Sequence, residues 1–261
     1  SEQNDSLYLH EVAWCNNSPL DILGVEQLLV QQTKWFRNGV AFRTSNLSYA
    51  SSGTQVAGST GQGGQNYQLR FPQQVQVVGN NMYIVDRNNN RIIRWAIGAG
   101  SGTVVAGGVN QGPFAAMNRL RDPRTVIADN AGNMYILDRN NHRVLYWPAG
   151  APAATQVVAG GNGSGIALNQ LKDPSDMALY NGALYIADED NHRVVKWVLG
   201  EAQGTLFAGQ SGITGDSYDL FNNPVGIDVD SDGSVYVVDM ENNRVLRFDP
   251  GETMGVLVAG G

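Results

Sequence analysis

The sequence predicts an all-β protein, a β-propeller built from four-stranded blades. Three observations predict it: short strand-like runs between Gly, Asn and Asp turns, a unit of about fifty residues that recurs, and runs that are apolar on both faces. The 261 residues include 32 glycines, and only 16% are charged. This composition suits many short, tightly turned strands better than long solvated helices.

Four copies of one unit follow each other in the chain, beginning at Leu69, Leu120, Leu171 and Phe221. A proline recurs in each copy at intervals of 51, 51 and 50 residues, as Pro72, Pro123, Pro174 and Pro224. The copies end on VVAGG, VVAGG, LFAGQ and LVAGG. A fixed period of this length indicates one supersecondary unit repeated along the chain.

Each copy predicts four strands, which in the first copy are Val75–Val78, Met82–Val85, Arg91–Trp95 and Thr103–Ala106. The third strand carries Ile92, Ile93 and Trp95, so both of its faces are apolar. A strand buried on both faces belongs to a sheet packed between two other sheets, as in a propeller blade. Four antiparallel strands in about fifty residues favour a propeller over a linear solenoid.

Residues 1–58 lack the marker residues of the repeat, although the segment GTQVAGS at Gly53–Ser59 copies the ending of a unit. We predict that residues 1–58 form a degenerate first blade within a single propeller domain spanning residues 1–261. The other blades are then residues 59–108, 109–161, 162–210 and 211–261. This gives five blades, or six if a further segment or another chain completes the ring.

The repeated residues resemble a known family. A proline followed by an apolar run, then LYIAD, then NHRVVKW in the third copy is similar to the NHL repeat, and the resemblance covers residues 69–261. It implies a β-propeller. The kelch propeller has a similar period, but its paired glycines follow the second strand, whereas here they follow the fourth. Some NHL-like propellers are metal-dependent lyases with a set of central histidines, which this sequence lacks.

Loop geography follows from the order of antiparallel strands. The turn between the second and third strands and the connector to the next blade emerge on one side, which we call the long-loop face. The connectors are Ser59–Gln68, Val109–Arg119, Asn162–Gln170 and Ser211–Leu220. Since binding residues concentrate on loops held by a rigid scaffold, we expect binding there. The candidate residues are Arg87, Asn89, Arg139, His142, Glu189, Asp190, His192 and Glu241.

An aspartate and an arginine bracket the same turn in every copy. A residue that recurs in each blade is expected to be structural, because a ligand site needs only one copy. We predict that the carboxylate caps turn amides and that the guanidinium links it to nearby carbonyls. The pairs are Asp86 and Arg91, Asp138 and Arg143, Asp188 and Arg193, and Asp239 and Arg244.

Catalytic and metal-binding patterns are weak. The three histidines are His10, His142 and His192, and two of them occupy one repeat position, so no zinc site is predicted. Asp228, Asp230 and Asp232 resemble a calcium loop, but the terminal glutamate of that motif is missing and a hairpin turn is favoured. No cofactor is predicted. An enzyme site at the hub stays an alternative, with these residues at its mouth: Gln74, Thr125, Asp176 and Gly226.

The formal net charge is −7, which argues against nucleic acid as a partner. Charge is unevenly distributed, with +3 on residues 1–143 and −10 on residues 144–261. This polarity would suit head-to-tail packing of identical molecules into an oligomer or filament. No apolar run approaches the length that crosses a bilayer, so membrane insertion is not expected.

The polar start of the chain looks processed, and four N-glycosylation sequons occur. Together they predict a secreted glycoprotein with sugars at Asn4, Asn16, Asn46 and Asn162. The single cysteine, Cys15, cannot form an internal disulfide and is expected to be an inert thiol. The function predicted from these observations is a non-enzymatic, extracellular recognition or scaffold module that binds a protein or glycan. The alternative is a self-assembling structural subunit.

Overall fold

Four antiparallel sheets of four strands each form the fold. The computed structural model describes residues 53–59, 61–108 and 116–261. Sheet 1 contains β1 (Pro72–Val78), β2 (Asn81–Asp86), β3 (Arg91–Ala96) and β4 (Thr103–Gly107). Sheet 2 contains β5 (Pro123–Ala128), β6 (Met134–Asp138), β7 (Arg143–Trp147) and β8 (Gln156–Gly160). Sheet 3 contains β9 (Asp176–Tyr180), β10 (Ala183–Asp188), β11 (Arg193–Val198) and β12 (Thr205–Gly209). Sheet 4 contains β13 (Pro224–Val229), β14 (Val235–Asp239), β15 (Arg244–Phe248) and β16 (Val256–Gly260).

The strands of every sheet follow chain order, so each sheet is a meander. This arrangement confirms the predicted all-β propeller of four-stranded blades. The described residues contain four blades where five were predicted, since the remaining one was placed at residues 1–58. Among the described residues no helix is long and apolar enough to cross a membrane.

Three apolar cores hold consecutive sheets together. Between sheets 3 and 4, Tyr185 and Val194 of one sheet pack with Val237, Leu246 and Phe248 of the next. Equivalent side chains form the cores between sheets 1 and 2 and between sheets 2 and 3. The third strands of sheets 1 to 3 are therefore buried on both faces, as the sequence pattern predicts: Ile92 and Ile93 are both fully buried.

The first strands of successive sheets are neighbours and are joined by polar side chains. Gln74 of sheet 1 donates to the carbonyl of Val126 and accepts from its amide, at 3.3 and 3.0 Å. Thr125 donates to Asp176 at 2.7 Å, and Asp176 accepts from the amide of Ile227 at 3.0 Å. These residues, predicted to line the hub, form hydrogen bonds that fix the spacing of the blades.

The segment Gly53–Ser59, predicted as the last strand of a blade, forms no strand. Ala57 packs instead against the face of sheet 1, on a cluster that includes Ile93 and Trp95. Gly58 has a φ of 79°, which interrupts an extended backbone. The predicted strands at Leu7–Trp14, Glu26–Gln31 and Val40–Thr44 lie outside the described residues.

The outward face of sheet 4 is less covered than the faces between sheets. Tyr185 and Val194 of sheet 3 are buried under sheet 4, whereas their equivalents Tyr236 and Val245 are half-buried. Val258 on the neighbouring strand is 43% exposed. Sheet 4 therefore presents a partly exposed apolar face at one end of the described array.

Candidate functional site

The repeated Asp–Arg pairs form a scaffold beneath the long-loop face. Each arginine Nε donates to its aspartate, at 2.6 Å for Asp86 and Arg91 and at 2.8 Å in the other three sheets. The second carboxylate oxygen accepts a backbone amide, such as that of Lys172 on Asp188 at 2.7 Å. Every aspartate of these pairs is fully buried. Their contacts are those of turn and connector scaffolding.

The same arginines fasten the connectors. Arg193 donates to the carbonyls of Ile166, Ala167 and Gln170 at 2.6, 3.1 and 3.0 Å. In addition, the carbonyl of Leu168 accepts from the amide of Gly204, at the far end of the outer strand, at 2.9 Å. The connectors therefore run along the blades and are held by hydrogen bonds to them. The loops of the long-loop face are thus more tightly fixed than the sequence suggests.

The face opposite the long-loop face carries more than the short turns between the first and second strands. The loops between the third and fourth strands also emerge on it, at residues 97–102, 148–155, 199–204 and 249–255. Three of these loops are closed by a tryptophan indole, for example Trp197 donating to the carbonyl of Glu201 at 3.0 Å. Sequence analysis overlooked them because it compared only the turns that flank the second strand.

Three arginines and three carboxylates meet on the long-loop face between sheets 1, 2 and 3, and we call this group the mouth cluster. Arg87 donates to one oxygen of Asp122, and Arg124 lies 3.2 Å from the other. Arg139 pairs with Glu189 at 3.0 Å and lies 4.0 Å from both Asp122 and Asp173. The cluster consists of Arg87, Asp122, Arg124, Arg139, Asp173 and Glu189.

The mouth cluster occupies repeat positions that change chemistry from blade to blade. The first residue of the turn after the second strand is Arg87, Arg139, Glu189 or Met240. The residue before each marker proline is Phe71, Asp122, Asp173 or Asn223, and the one after it is Gln73, Arg124, Ser175 or Val225. Because the repeat itself does not require these side chains, they are free to serve a site.

Arg124 is the member of the mouth cluster whose hydrogen-bonding capacity is least used. Its side chain is 14% exposed, and its buried Nε has no hydrogen-bond partner. The two bonds it makes are long, to Asp122 at 3.2 Å and to the side-chain oxygen of Gln73 at 3.3 Å. Burial lowers the pKa of the Arg124 guanidinium, and although Asp122 raises it, Arg139 and Arg87 lower it further. Arg124 is therefore a desolvated guanidinium that makes only long hydrogen bonds.

Glu189 occupies the other side of the cluster. Burial raises the pKa of the Glu189 carboxyl, while Arg139 and Arg124 lower it and Asp190 and Asp173 raise it. Its ion pair with Arg139 thus only partly offsets the cost of removing the carboxylate from water.

Phe71 lies next to the mouth cluster in an unusual backbone conformation. Its φ is 48°, in the left-handed region that suits the Asp and Asn residues found at the equivalent positions in the other sheets. The ring is 55% exposed and borders a shallow, open groove of about 460 Å³. Ser59, Gln62 and Leu69 also line that groove. A bulky aromatic residue held exposed at strained backbone is typical of a functional position.

Comparison with protein families agrees with the resemblance seen in the sequence. The family described as NHL repeat matches residues 221–248, which span the marker proline, aspartate and arginine of sheet 4. The other three sheets repeat those markers on the same meander. The chain is thus a β-propeller that contains an NHL repeat.

Solved structures of other propellers resemble this NHL-repeat propeller in fold. An auxiliary nutrient binding protein from Bacteroides ovatus superposes with a TM-score of 0.53 at 17% identity, covering 72% of this chain and 50% of its own. A gluconolactonase from Xanthomonas campestris gives 0.53 at 16%, covering 73% and 62%. A nidogen/laminin complex gives 0.52 at 16%, covering 72% and 63%. The chain spans half to under two thirds of these structures, and the likeness shows the fold. No curated protein matches the chain.

The candidate binding residues separate into two groups in the NHL-repeat propeller. Arg87, Arg139 and Glu189 belong to the mouth cluster. Asn89 donates to the carbonyl of Gly63 and to Asp86, both at 2.8 Å, and the equivalent asparagines Asn191 and Asn242 make the same pair of contacts. Asn89 is therefore engaged in the repeated scaffold.

The two turn histidines link neighbouring blades. His142 accepts the amide of Asp173 through Nδ1 at 3.2 Å, and His192 accepts the amide of Asn223 at 3.3 Å. Asn90 does the same for Asp122 with its side-chain oxygen, at 2.9 Å. Histidine and asparagine can thus both occupy this position, because each places one hydrogen-bond acceptor at the same point.

The acidic turn residues outside the cluster are more exposed. Asp190 faces Lys172 at 3.6 Å, and Glu241 is exposed on the equivalent turn of sheet 4. Sequence analysis missed Phe71, Asp122, Arg124 and Asp173. The available signal was the variation within the two positions that flank the marker proline, which become neighbours of the turn only in three dimensions.

Metal ligands do not converge in the part of the chain that the structure describes: no group of three His, Cys, Asp or Glu residues is placed to hold an ion. Asp230, considered for calcium, accepts the amides of Asp232 and Ser234 at 3.0 and 2.9 Å, as expected of a hairpin turn. Burial and Asp230 raise the pKa of Tyr236, which donates to this carboxylate, to about 12.

Three of the four asparagines predicted to carry sugars lie outside the described residues. Asn4, Asn16 and Asn46 lie outside the described residues, as do Cys15 and His10. Asn162 is exposed on a connector, and its Nδ2 donates to the carbonyl of Asn169 at 2.9 Å. A sugar on Asn162 would require that hydrogen bond to rearrange.

Proposed function

We propose that this NHL-repeat propeller is a non-enzymatic, extracellular recognition module that binds a protein or glycan on its long-loop face. The observation that carries the proposal is the mouth cluster. Its charged side chains occupy repeat positions that the fold leaves free, at the junction of three blades. A rigid scaffold with such a group of polar side chains is suited to binding.

The inner strands support a binding role over catalysis. Gln74, Thr125 and Asp176 are engaged in hydrogen bonds between blades, which leaves them poorly suited to transfer protons to a substrate. The nutrient-binding protein among the structural neighbours fits the proposal, whereas the gluconolactonase represents the enzyme alternative.

The proposal is tested by screening the purified protein against arrays of glycans and extracellular proteins. Each ligand found is then measured by calorimetry against two variants. Arg139→Met alters the long-loop face, and Lys196→Gln removes one positive charge from the third strand of sheet 3, outside the mouth cluster. We expect affinity to fall with Arg139→Met and to stay unchanged with Lys196→Gln. Binding that ignores Arg139, or turnover of the ligand, would contradict the proposal.

Extracellular location is tested separately. Intact-mass measurement of protein from its native source should show carbohydrate that a peptide N-glycosidase removes, converting the occupied asparagines to aspartates. An unmodified mass with an intact Asn162 tryptic peptide would count against a secreted glycoprotein.

Self-assembly is the second candidate function, favoured by the partly exposed apolar face of sheet 4. Tyr236, Val245 and Val258 would be covered by a second copy of the chain, and the charge polarity of +3 against −10 would orient it. Light scattering at increasing concentration tests this. Growth that Val258→Glu abolishes would support assembly, and a uniform monomer at high concentration would exclude it.

A further inference from the structure

Asp122 is shared among three guanidinium groups. Arg87 occupies one of its oxygens and Arg124 the other, while Arg139 lies 4.0 Å away. Arg139 has Glu189 as a second partner, but Asp122 is the only carboxylate that pairs with Arg87 and Arg124 among the described ion pairs. A further carboxylate entering here would complete the pairing of a guanidinium that is already desolvated.

Phe71 supplies a second, independent observation. The other three sheets place Asp or Asn at this position, with φ between 45° and 57°. Asp and Asn tolerate the left-handed region, whereas an aromatic residue there is strained. The fold therefore does not require the Phe71 ring, which is exposed rather than buried in a core.

The two features share one part of the surface. Gln73, two residues after Phe71, contacts the guanidinium of Arg124 through its side chain at 3.3 Å. On the other side, the carbonyl of Arg70 accepts from the amide of Asn88, directly beside Arg87, at 3.1 Å. The residues that flank Phe71 in the chain thus contact Arg124 and the turn that carries Arg87.

We propose that the long-loop face binds an acidic sugar of the uronic acid type, an assignment that rests on the proposed function and names its ligand class. The sugar carboxylate pairs with Arg124 and Arg87 in the fork geometry that guanidinium favours. The C–H face of the sugar ring stacks on Phe71, whose ring face is electron-rich. Polar groups of the groove, such as those of Ser59 and Gln62, meet the hydroxyls.

The experiment is calorimetric titration of the purified chain with trigalacturonic acid. Its fully methyl-esterified form is the matched probe without charge, and triglutamate is the matched charge without a sugar ring. We expect trigalacturonic acid to bind and both other compounds to bind at least tenfold more weakly. The affinity should fall as salt is raised, because the contact is between charges.

Variants are taken from the equivalent positions of other blades, so that the fold tolerates them. Arg124→Val copies Val225, Arg87→Met copies Met240, and Phe71→Asn copies Asn223. Each should weaken trigalacturonate binding, by about tenfold to a hundredfold for Arg124, the value of a charge-assisted hydrogen bond. Arg94→Gln, at an exposed position of the third strand of sheet 1, is the control and should leave binding unchanged.

Two results would overturn the assignment. Equal binding of triglutamate would show that charge alone is recognised, and absence of trigalacturonate binding would exclude the ligand class. If another ligand from the array screen still depends on Arg139, the proposed recognition function stands while the sugar assignment fails. If trigalacturonate binds but none of the three long-loop variants affects it, the assignment and the proposed binding face both fail.

Discussion

Arg193 and Asp188 form an ion pair in which both side chains are completely buried, with Nε and Oδ2 2.8 Å apart. The guanidinium also donates to three connector carbonyls and to the hydroxyl of Ser211. One side chain thus joins a turn, a connector and the start of the next connector. The same arrangement recurs in each sheet, with variations in the connector contacts.

Replacing Arg193 should therefore destabilise the fold strongly. Arg193→Ala leaves Asp188 buried without its counter-ion, and we expect a loss of about 3–5 kcal/mol in the free energy of unfolding. Urea unfolding followed by circular dichroism measures this. Arg94→Gln, an exposed arginine of sheet 1, should change stability by less than about 0.5 kcal/mol. A wild-type unfolding midpoint for Arg193→Ala would contradict the structural role of the pair.

Phe71→Asn should stabilise the protein while it weakens ligand binding. Asparagine accepts the left-handed backbone at this position, so we expect a gain of about 1 kcal/mol. Thermal unfolding of the variant measures it, with Phe71→Ala as the control that removes the ring but keeps a Cβ in strained backbone. Equal stability of the two variants would show that strain at Phe71 is negligible.

Glu189 should make stability depend on pH in a defined direction. Burial raises the pKa of its carboxyl in the folded state, so the folded chain binds the proton more tightly than the unfolded chain. The protonated carboxyl of Glu189 therefore stabilises the folded state at pH values below the ordinary glutamate pKa. This stabilisation is lost as the pH rises through the raised pKa of the folded state. Glu189→Gln removes this loss.

Urea unfolding at intervals between pH 4 and pH 7.5 checks the prediction. The free energy of unfolding of Glu189→Gln, relative to wild type, should increase with pH across this range. Glu241→Gln, at an exposed glutamate on the equivalent turn, should show no such trend. A relative stability of Glu189→Gln that falls as pH rises would mean that Arg139 outweighs desolvation.

His142 should be replaceable by asparagine but not by a residue without an acceptor. Asn90 shows that an asparagine oxygen accepts the next connector's amide from this position. His142→Asn should therefore match wild-type stability within about 0.5 kcal/mol. His142→Gly keeps the left-handed backbone but leaves the amide of Asp173 without this acceptor, and should cost about 1 kcal/mol. Differential scanning calorimetry distinguishes these outcomes, and an equally stable glycine variant would contradict the linking role.

The repeat made the fold predictable because its markers have local causes. Proline starts the first strand in three of the four sheets, the Asp–Arg pair brackets a turn, and apolar residues on both faces require sheets on both sides. The mouth cluster was only partly predictable. Arg87 and Glu189 stand in a recognisable turn, but Asp122 and Arg124 reach them from a neighbouring blade, and a contact of that kind depends on how blades pack.

Phe71 illustrates a different limit of the sequence. Its column in the repeat contains Asp122, Asp173 and Asn223, which suggests a polar loop residue. Only the backbone angle reveals that the aromatic ring is strained and exposed. Likewise, the hydrogen bond between Gly204 and Leu168 was not predicted, because it joins segments 36 positions apart and follows no spacing rule.

The central claim is that residues identical in all blades build the scaffold, whereas residues that vary between blades build the site. Measuring unfolding free energy and trigalacturonate affinity on both Arg193→Ala and Arg124→Val tests it most directly. The account predicts that Arg193→Ala loses stability while its folded fraction binds normally, and that Arg124→Val stays folded but binds at least tenfold more weakly. Unfolding of Arg124→Val, or loss of binding confined to Arg193→Ala, would contradict it.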